Sequence, residues 1–253
     1  MRIVTLNTWK SEGQYRARMI KMIKVLLALD PDVVLLQEVF ATDDGEINTA
    51  TSLAAALSRK CIHAPARHKP RQFEGALRAS SSGLAVLVRE AALEHHVLTL
   101  PAKALDADRI AQLVRLKYYG RSFWLANIHL THFPDACTLR TEQIICTLTR
   151  LTQHCGPDPW FIGGDFNTPP DSPTFECLVQ APWNMLNPFD RQHKVTHIDD
   201  AGHSSDLDHV LFSNGPSWRI RQAFLATDAA TDHTSRTVSD HAAVVIDVCL
   251  TLR

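Results

Sequence analysis

Apolar residues along this chain follow two spacings, one typical of helices and the other typical of strands. Residues 15–29 carry apolar side chains three and four positions apart, which predicts an amphipathic helix. The same spacing predicts two more helices, at residues 48–60 and 138–154. Alternating or short continuous apolar runs predict strands at residues 2–6, 33–36, 83–89, 95–100, 110–118, 122–130, 160–162, 207–213, 220–226 and 242–250.

These elements alternate from end to end without a linker, an internal repeat or a low-complexity segment. With 253 residues, of which 45% are hydrophobic, the chain can bury a sizeable core. Short strands joined partly by hairpins and partly by helices predict an α/β (α+β) fold. We expect a four-layered sandwich, in which two mixed β-sheets pack face to face with helices on the outside. Residues 1–253 are expected to form a single domain.

Residues 59–78 lack such periodicity and are predicted to be irregular. Its only acidic residue is Glu74, whereas its basic residues are Arg59, Lys60, Arg67, Lys69, Arg71 and Arg78. Two interpretations are open. The stretch is a solvated loop, or it is a rim whose side chains bind the flanking phosphates of a polymeric substrate, through Arg67, Lys69 or Arg71.

A second irregular stretch, residues 182–205, contains His193 and His197. Their spacing of four would suit a metal pair on a helix, but the stretch has no helical apolar pattern. We therefore expect solvated loop histidines. Trp183 and Phe189 in the same stretch are expected to pack against the protein, with stacking on a base as the alternative.

Composition limits the class of protein and its location. No apolar run approaches the roughly 18 residues that a membrane span needs, and residues 1–9 lack the features of a signal peptide. We therefore expect a cytoplasmic protein without stable membrane insertion.

The six cysteines contain no C-x-x-C pair and are expected to be reduced packing residues. Proteins that bind nucleic acid through a broad basic surface usually have a more positive net charge than the −1 of this chain. No feature indicates a protein partner, so we expect a monomer.

Polar residues occupy the ends of several predicted strands. Five strands end in acids, amides or histidine, and one further pair precedes the last strand: Asn7, Glu38, His129, Asp165 with Asn167, Asp208, and Asp240 with His241. A single Asp or Asn at the end of a strand is more typical of a turn or a helix cap than of a metal ligand. Together, apolar strands that deliver oxygen ligands to their ends favour a metal site at one edge of a sheet pair.

Six local motifs resemble those of a known family. They are Leu6-Asn7-Thr8-Trp9, Leu36-Gln37-Glu38-Val39, Asn127-Ile128-His129-Leu130, Gly163-Gly164-Asp165-Phe166-Asn167, Leu207-Asp208-His209 and Ser239-Asp240-His241. With these motifs in this order, nearly the whole chain resembles the endonuclease/exonuclease/phosphatase superfamily, and in particular its deoxyribonuclease-like and neutral-sphingomyelinase-like members. The resemblance implies a Mg²⁺-dependent hydrolase of phosphoester bonds, in which Mn²⁺ can replace Mg²⁺.

The resemblance also implies which residues hold the metal ion. Glu38 is expected to be the principal metal carboxylate, and Asn7 and Asp240 are expected to provide further oxygen ligands, directly or through water. Mg²⁺ keeps part of its hydration shell, so few protein ligands suffice. Phosphoester hydrolysis is very slow without catalysis. The ion would accelerate it by stabilising the charge that develops on the leaving group.

The remaining motif residues are implied to act on the phosphate and the attacking water. Asp165 resembles the base that orients the water, and Asn167 is expected to hold a phosphate oxygen or the geometry of the metal site. His241 is expected to contact the phosphate or the water, while Asp208 fixes its orientation and raises its pKa. His129 corresponds to a histidine that donates to the phosphate or the leaving group.

Departures from the family patterns narrow the substrate. His129 stands where apurinic-site endonucleases usually carry tyrosine, and Thr168-Pro169-Pro170 stands where inositol phosphatases usually carry Tyr-Arg. His132 is expected on a substrate-side loop rather than in a zinc site, because residues three apart on a strand face different directions. We expect a phosphodiesterase that acts on nucleic acid or a nucleotide-containing substrate. The alternatives are a lipid-headgroup phosphodiesterase, a phosphatase of small metabolites and an inactive binding module.

Overall fold

The structure is a computed structural model of the 253-residue chain, and it describes residues 1–189, 192–215, 218–226 and 238–250. The helices of these ranges are α1 (Tyr15–Leu29), α2 (Thr49–Leu57), α3 (Cys137–Cys155) and α4 (Pro173–Val179), with a 3₁₀ turn at Ala104–Asp106. The strands are β1 (Arg2–Asn7), β2 (Val33–Thr42), β3 (Lys60–Ala64), β4 (Lys69–Phe73), β5 (Ala76–Val88), β6 (Glu94–Thr99), β7 (Ile110–Tyr118), β8 (Arg121–His129), β9 (Trp160–Asp165), β10 (His197–Ile198), β11 (Ser204–Ser205), β12 (Asp208–Phe212), β13 (Trp218–Ala226) and β14 (Ala243–Leu250).

The first sheet contains seven strands in the order β13-β14-β1-β2-β5-β3, with β4 also paired to β5. Strands β1 and β2 run parallel and α1 connects them, whereas the other pairs of this sheet are antiparallel. Because parallel strands end at the same edge, β1 delivers Asn7 beside Gln37 of β2. This edge carries the first two of the sequence motifs.

The second sheet contains five strands in the order β12-β9-β8-β7-β6. Strands β8 and β9 run parallel, are connected by α3, and pair His129 with Asp165. Strand β12 is antiparallel to β9 and pairs Asp208 with Asp165. Three residues from separate motifs therefore lie side by side on adjacent strands.

Three buried apolar clusters fill the spaces between the layers. The central cluster, which includes Leu35 and Phe161, lies between the two sheets. The second includes Met22 of α1 on the first sheet, and the third includes Ile144 of α3 on the second sheet. The predicted four-layered arrangement, with two mixed sheets face to face and helices outside, is confirmed. None of the helices in the described ranges is long and apolar enough to cross a bilayer.

Helix α1 covers the predicted residues 15–29. It buries one face, which includes Met19, Met22 and Leu26, and exposes the opposite side. It ends where Asp30 adopts a left-handed conformation and donates its backbone N–H to the carbonyl of Leu26 at 3.0 Å.

Helix α2 is shorter than the predicted residues 48–60. Its start is set by Asn48, whose side chain accepts hydrogen bonds from the backbone N–H groups of Ala50 and Thr51. The helix ends at Ser58, which takes a left-handed conformation, because the chain from Lys60 onward pairs with β5 as a strand. Tertiary pairing thus overrides the last turn that local spacing favoured.

The basic stretch at residues 59–78 is not irregular, and that prediction was wrong. Both β3 and β4 pair with the long strand β5, and Glu74 with Gly75 forms the two-residue turn between β4 and β5. Both turn residues have positive φ, 49° and 80°, which suits a tight hairpin turn whose twist matches its strands. The first half of β5, to which β4 pairs, was hidden because it buries three serines directly after this stretch, Ser80, Ser81 and Ser82.

Short elements also occur around the second irregular stretch. Helix α4 was not predicted, although Ser172 caps it by accepting from the Phe175 N–H at 3.1 Å and Pro173 opens it. Seven residues are too few for a clear helical period. Trp183 and Phe189 pack against the apolar clusters of the second sheet and of the inter-sheet space, respectively. The six cysteines are free.

Candidate active site

A cavity of about 820 Å³ opens where the polar edges of the two sheets meet. Its walls contain most of the predicted catalytic and metal-binding residues: Asn7, Glu38, His129, Asp165, Asn167, Asp240 and His241. Asp208 is fully buried and contacts His241 from behind. The predicted substrate-side residues line the same cavity: Arg67, Lys69, Arg71 and His132. The structure therefore brings the predicted site residues together.

Asp165 ends β9 and is only 2% exposed. Its Oδ2 accepts a hydrogen bond from Nδ2 of Asn7 at 2.9 Å, and its Oδ1 accepts the backbone N–H of Asn167 at 2.9 Å. Burial, reinforced by the negative charge of Asp208, raises the pKa of Asp165 to about 7, although His241 and both hydrogen bonds lower it. A carboxylate with this pKa can exchange a proton near neutral pH.

Two glycines directly before Asp165 allow β9 to approach its neighbours closely. A Cβ on Gly164, which has a φ of 140°, would lie 2.0 Å from the carbonyl oxygen of Ile128 on β8. A Cβ on Gly163 would lie 2.7 Å from the Leu35 side chain of the first sheet. Only glycine fits the position of Gly164, because a Cβ there would collide with the backbone of β8, whereas a Cβ on Gly163 would require the Leu35 side chain to shift. The Gly-Gly-Asp motif therefore lets β9 lie close enough to its neighbours to hold the carboxylate between the sheets.

His241 is held by a buried carboxylate. Its Nδ1 donates to Oδ2 of Asp208 at 2.7 Å, and its Nε2 lies 3.9 Å from Oδ2 of Asp165. Burial alone would lower the pKa of His241, but the charges of Asp208, Asp165 and Asp240 raise it to about 10. The ring is therefore a fixed imidazolium at neutral pH.

His129 faces the same carboxylate in the opposite protonation state. Its Nε2 lies 3.5 Å from Oδ2 of Asp165. Burial, together with the positive charges of Arg109 and Lys10, holds the pKa of His129 well below its ordinary value of 6.5. A neutral imidazole, His129, and a cationic imidazole, His241, therefore flank Asp165. The site thus offers one neutral and one positively charged hydrogen-bonding group.

Glu38 and Asp240 form the acidic wall of the cavity together with the amide of Asn7. Glu38 sits in a bulge of β2, between Leu36 and Val39, with a φ of 54°. Burial raises the pKa of Asp240, and the negative charge of Glu38 raises it further, whereas His241 lowers it. Two neighbouring carboxylates that repel each other, with an amide beside them, fit a hard divalent cation such as Mg²⁺.

Lys10 was not predicted as a site residue. Its Nζ lies 2.9 Å from Oε1 of Glu38, and both side chains line the cavity. Lys10 and the preceding Trp9 both have positive φ, 41° and 54°, a conformation that is costly for such residues and tends to occur at functional sites. No local sequence signal marks this lysine, because its placement depends on the backbone conformation after β1.

A pair of arginines shares one buried carboxylate on the other side of the cavity. Asp106 is fully buried and accepts hydrogen bonds from Arg67 and, at 3.0 Å, from Nε of Arg109. Arg109 also donates to the His129 carbonyl at 3.3 Å and to Nδ1 of His132 at 3.0 Å. Neither Asp106 nor Arg109 was predicted, because a charged residue before an apolar strand is a weak signal.

The other predicted basic residues differ in their surroundings. Arg71 is buried, and its guanidinium donates to the carbonyl of Ser80 at 3.0 Å and to the carbonyl of Arg67 at 2.9 Å. It therefore fastens the segment that carries Arg67. Lys69 is exposed on β4 at the cavity wall.

The two histidines of the second irregular stretch lie in different surroundings. His193 is at the surface, with 59% of its side chain exposed, as expected. His197 was expected to be solvated as well, but it lies in β10, lines the cavity and has its Nε2 3.8 Å from Oδ2 of Asp240. That expectation was wrong, because a backbone bridge between His197 and His241 places this segment against the acidic wall.

Comparison with known proteins gives matches in sequence and in structure. A curated relative is "Carbon catabolite repressor protein 4 homolog 3" from Arabidopsis thaliana, 26% identical over 134 residues. The match covers 47% of this chain and 30% of that relative. The human Nocturnin catalytic domain, solved with a bound sulfate anion, has a TM-score of 0.76 at 21% identity, covering 99% of this chain and 93% of that one.

Another similar structure is D. rerio TDP2 complexed with a single-strand DNA product. It has a TM-score of 0.73 at 15% identity and covers 98% of each chain. At these identities, the structural matches show a shared fold. The model of the Endonuclease/Exonuclease/phosphatase family matches residues 4–241, from the middle of β1 to His241. The chain therefore belongs to the endonuclease/exonuclease/phosphatase family of phosphoester hydrolases.

Proposed function

We propose that this chain is a divalent-metal-dependent phosphodiesterase that acts on nucleic acid or a nucleotide-containing substrate. The observation that carries the proposal is the position of Asp165, within 3.9 Å of both His129 and His241 in a cavity that also holds the acidic wall. A carboxylate between two imidazoles supports the binding of one phosphate in this cavity, with Asp165 as the proposed proton acceptor and the two histidines as its proposed hydrogen-bonding partners.

Glu38, Asp240 and Asn7 are the proposed ligands of Mg²⁺, which Mn²⁺ can replace. The bound ion supplies positive charge that stabilises the phosphate oxygens and the leaving group. Their side chains offer carboxylate and amide oxygens, the ligand type that this ion prefers. The partial exposure of Glu38 and Asp240, 14% and 20% of their side chains, leaves room for water in the remaining positions.

Asp165 is the proposed base that takes a proton from the attacking water. Its pKa of about 7 lets it accept that proton and release it within one catalytic cycle near neutral pH. Asn167 holds it through a backbone hydrogen bond, while its own side-chain Nδ2 donates to the carbonyl of Leu130 at 3.0 Å at the cavity wall. Asn167 is therefore proposed to hold the geometry of the site. The water then attacks phosphorus while Asp165 becomes protonated.

The two histidines stabilise the phosphate from different sides. His241 is the proposed cationic contact to a phosphate oxygen, and Asp208 keeps it charged and oriented. His129 is the proposed neutral donor to the phosphate or to the leaving oxygen. A cation and a neutral donor together offset the charge that develops as the ester bond breaks.

The basic residues of the cavity favour a substrate with more than one phosphate. Arg67 and Lys69, with His132 beside them, are proposed to bind the phosphates that flank the reacting one. Arg71 supports them by holding the Arg67 segment. Among similar structures, one from D. rerio was solved with a single-strand DNA product, which supports nucleic acid as the first substrate to test.

The test is a substrate panel with purified protein in Mg²⁺ or in EDTA. The panel contains labelled single-strand, duplex and abasic oligonucleotides, bis(p-nitrophenyl) phosphate, phosphorylated lipid headgroups and small phosphomonoesters. Asp165→Asn is compared with Asp171→Asn, the same substitution at an exposed loop position. We expect Mg²⁺-dependent oligonucleotide cleavage that Asp165→Asn abolishes and Asp171→Asn retains. Cleavage of other esters alone would remove the nucleic-acid part, and inactivity on the whole panel would contradict the proposal.

A further inference from the structure

His197 and His241 face each other across a short antiparallel bridge between segments far apart in the chain. The backbone N–H of Ile198 bonds to the Asp240 carbonyl at 3.2 Å, and that of Ala242 bonds to the Thr196 carbonyl at 2.7 Å. Flanking bonds of this kind define a non-hydrogen-bonded pair, in which the two opposite side chains come closest. The imidazole centroids accordingly lie 4.5 Å apart.

Asp240 offers a carboxylate to both rings. Its Oδ2 lies 3.8 Å from Nε2 of His197, and its Oδ1 lies 3.9 Å from Nε2 of His241. One potential ligand atom from each of the three residues lies within 4.8 Å of the other two. Ligand atoms that share one metal ion are roughly 3 Å apart, so small side-chain rotations would bring these three to coordination distance.

The surroundings of His241 resemble those of a metal-bound histidine. Its Nδ1 bonds to Asp208, which leaves Nε2 on the side of Asp240. Metal-ligating histidines commonly bond a carboxylate through their other ring nitrogen in this way. Two imidazoles and one carboxylate also differ from the oxygen ligands on the acidic wall, and they favour a transition metal over Mg²⁺.

We propose that His197, Asp240 and His241 form a second metal site, which binds a transition-metal ion of the Zn²⁺ type and thereby inhibits hydrolysis. Binding at this site occupies Asp240 and His241, which the proposed reaction needs for the activating metal and for the phosphate. The inhibitory part rests on the proposed function, whereas the binding part does not. His197 and His241 distinguish this site from the oxygen-ligand site of Glu38, Asp240 and Asn7, and of these two histidines His197 is the one without a role in the proposed reaction.

The binding test uses the full chain, stripped of metal and titrated with Zn²⁺ by calorimetry. Wild type is compared with His197→Phe, which retains a ring against His241, and with His193→Phe, the matched substitution at the exposed histidine. Because Zn²⁺ displaces the proton on Nε2 of His241, all proteins are compared at one pH. We expect His197→Phe to lower Zn²⁺ affinity at least tenfold and His193→Phe to leave it unchanged. Equal affinity in all three proteins would overturn the site.

A spectroscopic measurement keeps the proposal testable if His197→Phe does not fold. In wild type with ¹⁵N-labelled histidine, one equivalent of Zn²⁺ should shift the ring-nitrogen signals of His197 and His241 together. In His197→Gln, which keeps a polar side chain of similar size, Zn²⁺ should no longer shift the ring-nitrogen signals of His241. Shifts confined to other histidines would contradict the assignment.

The inhibition test measures hydrolysis in saturating Mg²⁺ with increasing Zn²⁺. For His197→Phe, relative to its own Mg²⁺-supported rate, we expect the half-inhibitory Zn²⁺ concentration to rise at least tenfold. Zn²⁺ binding without inhibition of wild type would overturn the inhibitory part. Zn²⁺ binding by a wild type that hydrolyses no substrate would instead refute the proposed function and support the metal site.

Discussion

The side-chain amide of Asn7 donates a hydrogen bond of 2.9 Å to Oδ2 of Asp165, although the two residues are 158 positions apart in sequence. Asn7 ends β1 in the first sheet, and Asp165 ends β9 in the second. A second bond between the sheets, from Nε2 of Gln37 to Oδ1 of Asn127 at 2.8 Å, joins the neighbouring motifs. These contacts couple the two sheets at the cavity, so the proposed metal ligands and the proposed base are held as one unit.

Removing this contact should change the pH profile as well as the rate. The hydrogen bond from Asn7 lowers the pKa of Asp165, so Asn7→Ala should raise that pKa and shift the acidic limb of kcat/KM to higher pH. We also expect kcat to fall about tenfold to a hundredfold, because Asn7 is also a proposed metal ligand. The measurement is a pH–rate profile of both proteins. Asn184→Ala, an exposed amide, is the control, and an unshifted limb in Asn7→Ala would contradict the coupling.

Asp165→Asn should stabilise the fold while it removes activity. Because the folded-state pKa of about 7 exceeds the ordinary value of 3.8, ionisation of Asp165 lowers stability progressively as the pH rises from about 4 to 7. At pH 8, replacement by the neutral amide should increase the free energy of unfolding by roughly 1 to 3 kcal/mol. Denaturant titrations at pH 8 and pH 4 measure this. A variant less stable than wild type at pH 8 would show that the carboxylate supports the fold.

Lys10→Met should change metal affinity and turnover in opposite directions. The ammonium 2.9 Å from Glu38 repels an incoming cation, so its removal should tighten Mn²⁺ binding about threefold to tenfold. The same ammonium would stabilise negative charge on the substrate, so kcat should fall. Electron paramagnetic resonance of free Mn²⁺ measures the affinity, and initial rates measure kcat. Lys24→Met, on the exposed side of α1, should change neither, and a fall in both quantities for Lys10→Met would indicate loss of structure instead.

Glu38→Ala should weaken metal binding and activity together. Glu38 is the proposed principal carboxylate ligand, and its loss removes one of the two negative charges on the acidic wall. The Mn²⁺ dissociation constant should rise at least tenfold, and the metal concentration for half-maximal rate should rise in parallel. Glu142→Ala, on an exposed position of α3, serves as the control. Unchanged metal affinity in Glu38→Ala would place the ion elsewhere.

Arg67→Ala should weaken the binding of oligonucleotides more than that of small diesters. A charge-assisted contact to a flanking phosphate accounts for roughly tenfold to a hundredfold in affinity, and a small diester lacks that phosphate. The KM for an oligonucleotide should therefore rise more than the KM for bis(p-nitrophenyl) phosphate, and its salt dependence should become less steep by about one charge. Arg150→Ala, an exposed arginine of α3, is the control. Equal changes for both substrates would exclude a flanking-phosphate role.

Local spacing predicted elements that bury a continuous apolar face. Helix α1 and strand β7 cover the predicted residues 15–29 and 110–118, because each has enough turns or alternations for its period to stand out. Elements with buried polar residues escaped this reasoning. The serines of β5 hid the hairpin with β4, and α4 is too short to show a period.

The residues of the candidate site also fall into those that the local sequence revealed and those that it did not. Motif residues such as Asp165 and His241 were recognisable because each stands in a local sequence that matches a family pattern. Lys10, Arg109 and His197 stand in no such local sequence. Their side chains reach the cavity through a strained turn, a shared buried carboxylate and a backbone bridge, each of which depends on residues distant in the chain.

The sequence by itself determined the layered fold and the family, and it singled out the motif residues that line the candidate site, because apolar periodicity and short motifs are local properties. Only the tertiary structure decided how these residues meet. It set the bond between Asn7 and Asp165, the opposite charge states of His129 and His241, and the approach of His197 to Asp240. Such features depend on distances and burial between segments, which arise only when the two sheets pack together.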